Sequence, residues 1–120
     1  MKDNPVLDKS YSFALKTIEL YRTLCEQNEF VISKQLLRAG TGIGANVEEA
    51  AAGQSKKDFA AKMAIASKEA GETNYWLRLL RDSRLCAADD LKQLISESEE
   101  LVKLLTAIVK TSQKRLKGNF

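Results

Sequence analysis

Histidine is absent from this sequence, proline occurs once and glycine six times in 120 residues. The missing imidazole removes the commonest general base and metal ligand, and with them catalytic triads, most zinc hydrolases and di-iron bundles. So few chain breakers leave little room for the many turns of a sandwich or barrel. Cysteine is scarce as well. Cys25 and Cys86 lie far apart, in neither a CxxC nor a Cys/His spacing, and read as buried free thiols of a reducing compartment rather than a disulfide. No apolar run approaches the ~20 residues that span a bilayer, and no apolar signal-peptide core follows Met1–Pro5. These absences predict a soluble, cytoplasmic protein with no membrane partner and no cofactor, and its length suits one domain over residues 1–120.

What is present is helical periodicity, in four segments. Asn4 and Pro5 suit an N-cap followed by proline at the first helical position. Leu7, Tyr11, Ala14, Ile18, Tyr21 and Cys25 then step by four and three, with Phe13, Leu20 and Leu24 widening the apolar face. After a polar break at Gln27–Glu29, a second segment runs from near Phe30 through Ile32, Leu36, Ala39, Ile43, Val47 and Ala50 to Gly53. Ser55 and Asp58 resemble a capping box that opens a third, with a seam of Phe59, Met63, Ala66, Ala70, Thr73, Leu77 and Leu80. Leu85–Ala88 reads as a turn. Asp89 and Asp90 then favour the start of a fourth segment, whose seam is Leu91, Ile95, Ser98, Val102, Leu105, Val109, Ser112 and Leu116. The implied fold is all-α, an antiparallel up-down-up-down four-helix bundle.

Gly40, Gly42 and Gly44 interrupt the second helix at a cost of about 2–3 kcal/mol relative to alanine. Their GxGxG spacing superficially suggests a phosphate loop, but no strand precedes it and no Lys-Ser/Thr follows. Close helix packing or an oligomer contact is the expected compensation. The run Gln35–Ala50 around these glycines resembles the signature of the bacterial four-helix-bundle proteins encoded by intervening sequences in 23S rRNA genes. Lys57, Asp58, Phe59 and Lys62, then Ile65–Thr73 and Trp76-Leu77, are similar to that family's third helix. Lys9-Ser10 and Phe13-Ala14 are similar to its first, so the resemblance spans nearly the whole chain. Gly42 departs from it, since serine is commoner there. The resemblance implies an antiparallel four-helix protomer in a ring-like homopentamer. The related accessory variability determinants of diversity-generating retroelements share that architecture and bind nucleic acid and a reverse transcriptase through a basic surface.

The net charge is +3, and its distribution matters more than its size. Residues 72–100 sum to −3, whereas residues 101–120 carry five cations and no acid. Lys103, Lys110, Lys114 and Lys117 fall on one helical stripe with Arg115 beside it. They form either a phosphate-binding strip or a set of cations that complements a helix C-terminus. Lys34, Lys56, Lys57, Arg78, Arg81 and Arg84 could add to such a surface, though Asp82 interrupts the last group. Trp76 and the tyrosines read as packing anchors rather than base-stacking platforms. Reflection of one helix on the next about residue 54 sets Arg38 level with Glu69 and Glu72, Asn46 near Lys62, and Glu49 near Phe59. We read Arg38, Asn46, Glu49, Glu69 and Glu72 as a structural ion-pair and amide network in a partly buried helix interface. Loss of Arg38 should therefore cost ~3–5 kcal/mol.

No nucleophile–base pair or metal set can be assembled from these residue types, which argues against an enzyme. The leading expectation is a homo-oligomeric scaffold that binds RNA, DNA or a nucleoprotein through repeated basic patches. The alternative is an adaptor that recruits a protein partner such as a polymerase without touching nucleic acid.

Overall fold

The computed structural model describes residues 4–87 and 89–118. They form four helices, α1 (Pro5–Glu26), α2 (Ile32–Ala52), α3 (Lys56–Ser83) and α4 (Leu91–Leu116). Each packs antiparallel on the next, and α4 returns to α1 to close an up-down-up-down bundle measuring 50 × 23 × 22 Å. Among the described residues, no helix is long and apolar enough to cross a membrane.

Local chemistry sets most helix ends. The Asn4 side chain accepts the Leu7 N–H at 3.3 Å with Pro5 at the first helical position, and the Ser55 hydroxyl accepts the Asp58 N–H at 3.0 Å. The start of α2 departs from expectation. It begins at Ile32, Phe30 is exposed, and the residue at the cap position is Val31, which has no side-chain acceptor. Glu29 supplies the missing acceptor. Its carboxylate takes the N–H groups of Val31 and Ile32 at 3.0 Å each and of Ser33 at 2.6 Å. At α4, Asp90 makes no capping hydrogen bond, so it acts there through charge alone. Part of the turn read at Leu85–Ala88 is seen as loop, and Ala88 lies outside the described residues.

On α1 the buried stripe is Val6, Ser10, Phe13, Thr17, Leu20 and Leu24, one position round from the expected seam. Tyr11 is 62% exposed, and Leu7, Ala14, Ile18, Tyr21 and Cys25 are only half-buried. Ser10 and Thr17 can face inward because their hydroxyls donate to the carbonyls of Leu7 and Phe13, at 3.2 and 2.9 Å. The hydroxyls of Thr73 and Ser98 also bond back into their own helices and that of Ser33 donates to the Glu29 carbonyl just before α2, so no buried side-chain polar atom among the described residues lacks a partner. The α3 seam is buried from Met63 to Leu80, with Phe59 half-buried at its start. On α4 burial reaches only as far as Leu105, with Val102 of the expected seam half-buried and Leu94 and Leu101 buried beside it. Ile108, Val109 and Ser112 are half-buried, and Leu116 is exposed.

Candidate nucleic-acid interface

Lys103, Lys110, Lys114 and Lys117 stand on one face of α4, or just past its end, because steps of seven, four and three residues return to nearly the same azimuth. The stripe runs about 21 Å along the helix at ~1.5 Å per residue. All four side chains are exposed, and among the described residues none of the four makes an ion pair or hydrogen bond. Some cations elsewhere are paired. Lys9 meets Glu100 at 3.3 Å, Lys16 meets Glu97 at 2.8 Å, and Lys62 meets Glu49 at 2.8 Å.

The further basic residues do not converge. Arg81 is held in a fork by Asp82 at 2.7 and 3.1 Å, and Arg78 donates to Asn74 while lying 6.0 Å from the Tyr75 ring centre. Lys34 and Arg84 belong to the opposite end of the bundle, at the start of α2 and just after α3. Lys56 and Lys57 do share the α4 C-terminal end. Between the first turn of α3 and the last turns of α4 lies a groove of two adjoining hollows. One, of about 260 Å³, is lined by Lys56, Phe59, Ser112 and Arg115, and the other, of about 300 Å³, adds Ala107, Ile108 and Thr111 around the same Phe59.

On the opposite pairing, α2 against α3, Arg38 reaches Glu72 and lies 3.5 Å from Glu69. The Trp76 indole N–H donates to the same Glu72 carboxylate at 2.9 Å. The cluster is partly desolvated: the Arg38 side chain is 53% exposed, while those of Glu69 and Glu72 are 21% and 35% exposed. That exposure of Arg38 lowers the cost to be expected from its loss. Asn46 is not part of the cluster, since its amide donates to the Gly42 carbonyl at 2.9 Å in its own helix. Glu49 pairs with Lys62, one turn beyond the position that reflection about residue 54 gives it. Trp76 packs half-buried on the core, whereas Tyr11 is exposed and the exposed Tyr75 meets Trp76 edge-on with ring centres 5.1 Å apart.

The glycines serve contacts inside the protomer. A Cβ at Gly40 would stand 2.7 Å from the Thr17 methyl, and one at Gly44 would stand 3.3 Å from the Ser10 carbonyl oxygen. Gly42 faces the end of the Glu69 side chain instead, at 3.1 Å. Two of the three thus let α1 approach α2 closely, and an oligomer contact is not needed to explain them.

Glu29 is the residue that pattern reading passes over. The available signal was indirect, a helix opening on Val31-Ile32 with no Ser, Thr, Asp or Asn at its cap. Burial works to raise the Glu29 carboxyl, but the N–H groups of Ile32, Ser33 and Val31 outweigh it and hold the pKa below the ordinary value. Cys25 and Cys86 are free and half-buried. Burial, with the Glu29 charge nearby, pushes the Cys86 thiol up, so it stays protonated and unreactive near neutrality.

Known proteins match this arrangement. The sequence pattern of the 23S rRNA-intervening sequence proteins matches residues 2–107. A solved structure from Bacteroides thetaiotaomicron VPI-5482, of a protein with unknown function from the S23 ribosomal protein family, is 50% identical. The similarity covers 92% of this chain and 99% of that one, with a TM-score of 0.84. No curated protein matches. Of the lysine stripe only Lys103 falls inside the matched span. With the fold, the residue pattern and a half-identical structure in agreement, the chain belongs to the 23S rRNA-intervening sequence protein family.

Proposed function

We propose that the protein is a non-enzymatic, homo-oligomeric scaffold that binds nucleic acid, alone or within a nucleoprotein, through the basic end of α4 repeated around the oligomer. The observation that carries this reading is the stripe of four exposed lysines without carboxylate partners among the described residues. Cations that only complemented a helix dipole would be needed in the last turn, yet Lys103 lies about three turns earlier. Self-association rests on separate grounds. Tyr11 and Leu15 are half exposed or more on the outer face of α1, and Tyr11 lines a hollow of about 360 Å³ with Ala14, Thr41, Gly44, Ala45 and Glu48. The family resemblance suggests five copies, and a ring would multiply a modest patch by avidity.

Binding isotherms against single-stranded RNA, duplex RNA and duplex DNA across a salt series test the reading. If all four lysines of one protomer meet phosphates, log K should fall against log salt with a slope of about −3 on a single strand and about −4 on a duplex. Replacing the four by glutamine should flatten that slope. Absence of binding at low salt would favour the adaptor reading, for which the exposed Phe30, Val31 and Leu85 offer apolar contacts.

A further inference from the structure

We propose that the groove between the start of α3 and the end of α4 seats one unpaired base of a single strand, stacked on Phe59, with neighbouring phosphates on Lys56 and Arg115. This rests on the nucleic-acid reading above and sharpens it from polyanion to single strand.

The groove lies where the described helices do not close the bundle along its whole length. The Lys9–Glu100 pair sets the register of α1 on α4, and by that register Pro5 stands level with Leu104. Beyond that point α4 runs on for some three turns with α3 alongside and no helical residue of α1 opposite. Burial follows the same line. Leu105 is fully buried, whereas Ile108, Val109 and Ser112 are half-buried and Leu116 is exposed. Phe59 sits where the core opens, packed against it and still lining both hollows.

The lining suits a base better than it suits other occupants. Volumes near 260 and 300 Å³ stand just below and at the lower limit of the ~300–1,000 Å³ usual for small-molecule sites, enough for one ring system with its sugar. An aromatic ring offers stacking to any base. The Ser112 hydroxyl donates to the Ile108 carbonyl at 2.8 Å, which leaves its oxygen lone pairs to accept from a base amine. Lys56 and Arg115 line the groove, and among the described residues no carboxylate does. An uncharged apolar ligand would take the Lys56 ammonium out of water and offer it no acceptor. A duplex keeps its bases stacked within the helix and could offer this groove only phosphates. The lysine stripe lies around α4 from Arg115, so a strand seated here has further cations along the same helix.

The test uses the full-length protein and an RNA single strand carrying one 2-aminopurine, with a blunt duplex of equal charge for comparison. Anisotropy reads affinity, and the probe's emission reads stacking. The proposal expects the single strand to bind at least tenfold more tightly than the duplex, with a change in probe emission. Phe59→Leu, which keeps an apolar side chain against the core, should lose about 5- to 100-fold in single-strand affinity and the emission change. Duplex affinity and the salt slope should be untouched. Lys56→Gln should lower the slope by about 0.7. A circular-dichroism melt shows whether Phe59→Leu is folded; if it is not, Phe59→Tyr should retain the emission change and Ser112→Val should weaken binding to the single strand alone. Equal binding of single strand and duplex, both lost on replacing the lysine stripe and neither altered at Phe59, would overturn the base site and leave the nucleic-acid reading standing. Binding of an acidic peptide that competes equally with RNA, and depends equally on Phe59, would overturn it in favour of a protein partner. A wild-type protein that binds neither nucleic acid defeats the underlying reading and this one together.

Discussion

Glu29 shows how much one side chain can carry when a helix begins without a conventional cap. Its folded pKa is depressed, so it contributes stability above the unfolded value near 4.5, and that contribution is lost as pH falls through the folded pKa. Between those two values the unfolded chain binds more protons, and stability therefore rises with pH. We expect the melting temperature to fall below about pH 4.5 in the wild type, and to fall less in Glu29→Gln. At neutral pH the substitution should cost about 1–2 kcal/mol, the usual worth of a helix cap. Parallel melts of the two proteins from pH 7 to pH 3 check both. The glycines supply a second residue-scale contrast. At Gly40 a Cβ would meet the buried, branched Thr17 at 2.7 Å, and at Gly71 it would meet nothing within 4 Å. Gly40→Ala should therefore destabilise by about 1–3 kcal/mol through overpacking. Gly71→Ala, in mid-helix, should stabilise by about 0.5–1 kcal/mol. Urea unfolding of the two variants tests the pair, and equal effects would show that close approach is not what Gly40 provides.

Between α2 and α3 the contacts form an ion-pair row along an exposed edge, and its energetics follow from exposure. With Arg38 53% exposed, its carboxylate partners keep access to water when it is removed, and Glu72 keeps the Trp76 N–H. Arg38→Ala should cost no more than about 1 kcal/mol, as exposed pairs do. A loss above about 2 kcal/mol in urea unfolding would mean that the pair is far more desolvated than its exposure indicates. The existence, order and direction of all four helices were legible in the sequence, because the apolar steps on α2 and α3 admit one seam each. The level of Arg38 with Glu69 and Glu72 was legible by counting back from the turn. The inward face of α1 was legible only in part: Phe13, Leu20 and Leu24 were read on it, Ser10 and Thr17 were not. Two stripes there are almost equally apolar, and the buried one contains Ser10 and Thr17, which read as surface residues. The choice between them is made across the interface, where Gly40 and Gly44 admit a small hydroxyl side chain and the helix's own carbonyls satisfy it. A single helix's periodicity carries no record of its neighbour's glycines. The groove at Phe59 was hidden for a related reason, since it depends on where α1 stops relative to α4.

At the scale of the whole molecule, the two ends of a 50 Å rod differ in chemistry. The end that gathers Lys56, Lys57, Lys110, Lys114, Arg115 and Lys117 is basic, whereas the other exposes Phe30, Val31 and Leu85. The side face of α1 is apolar through Tyr11 and Leu15. A side-by-side assembly through that face would leave both ends free and set the basic ends in one plane, the geometry that avidity along a polymer requires. We expect sedimentation velocity to show a species larger than a dimer. Because Tyr11 and Leu15 contribute little to the protomer's own core, Tyr11→Glu with Leu15→Glu should dissociate the assembly while leaving the helical signal and the cooperative melt in place. Affinity for a short oligonucleotide that one protomer can hold should then be nearly unchanged, while affinity for a long strand should drop by a factor of ten or more as avidity is lost. A wild-type protein that sediments as a monomer at every concentration would exclude the assembly. An assembly that survives both glutamates would place its contacts on another face, with exposed Ile65 on α3 the next surface to charge.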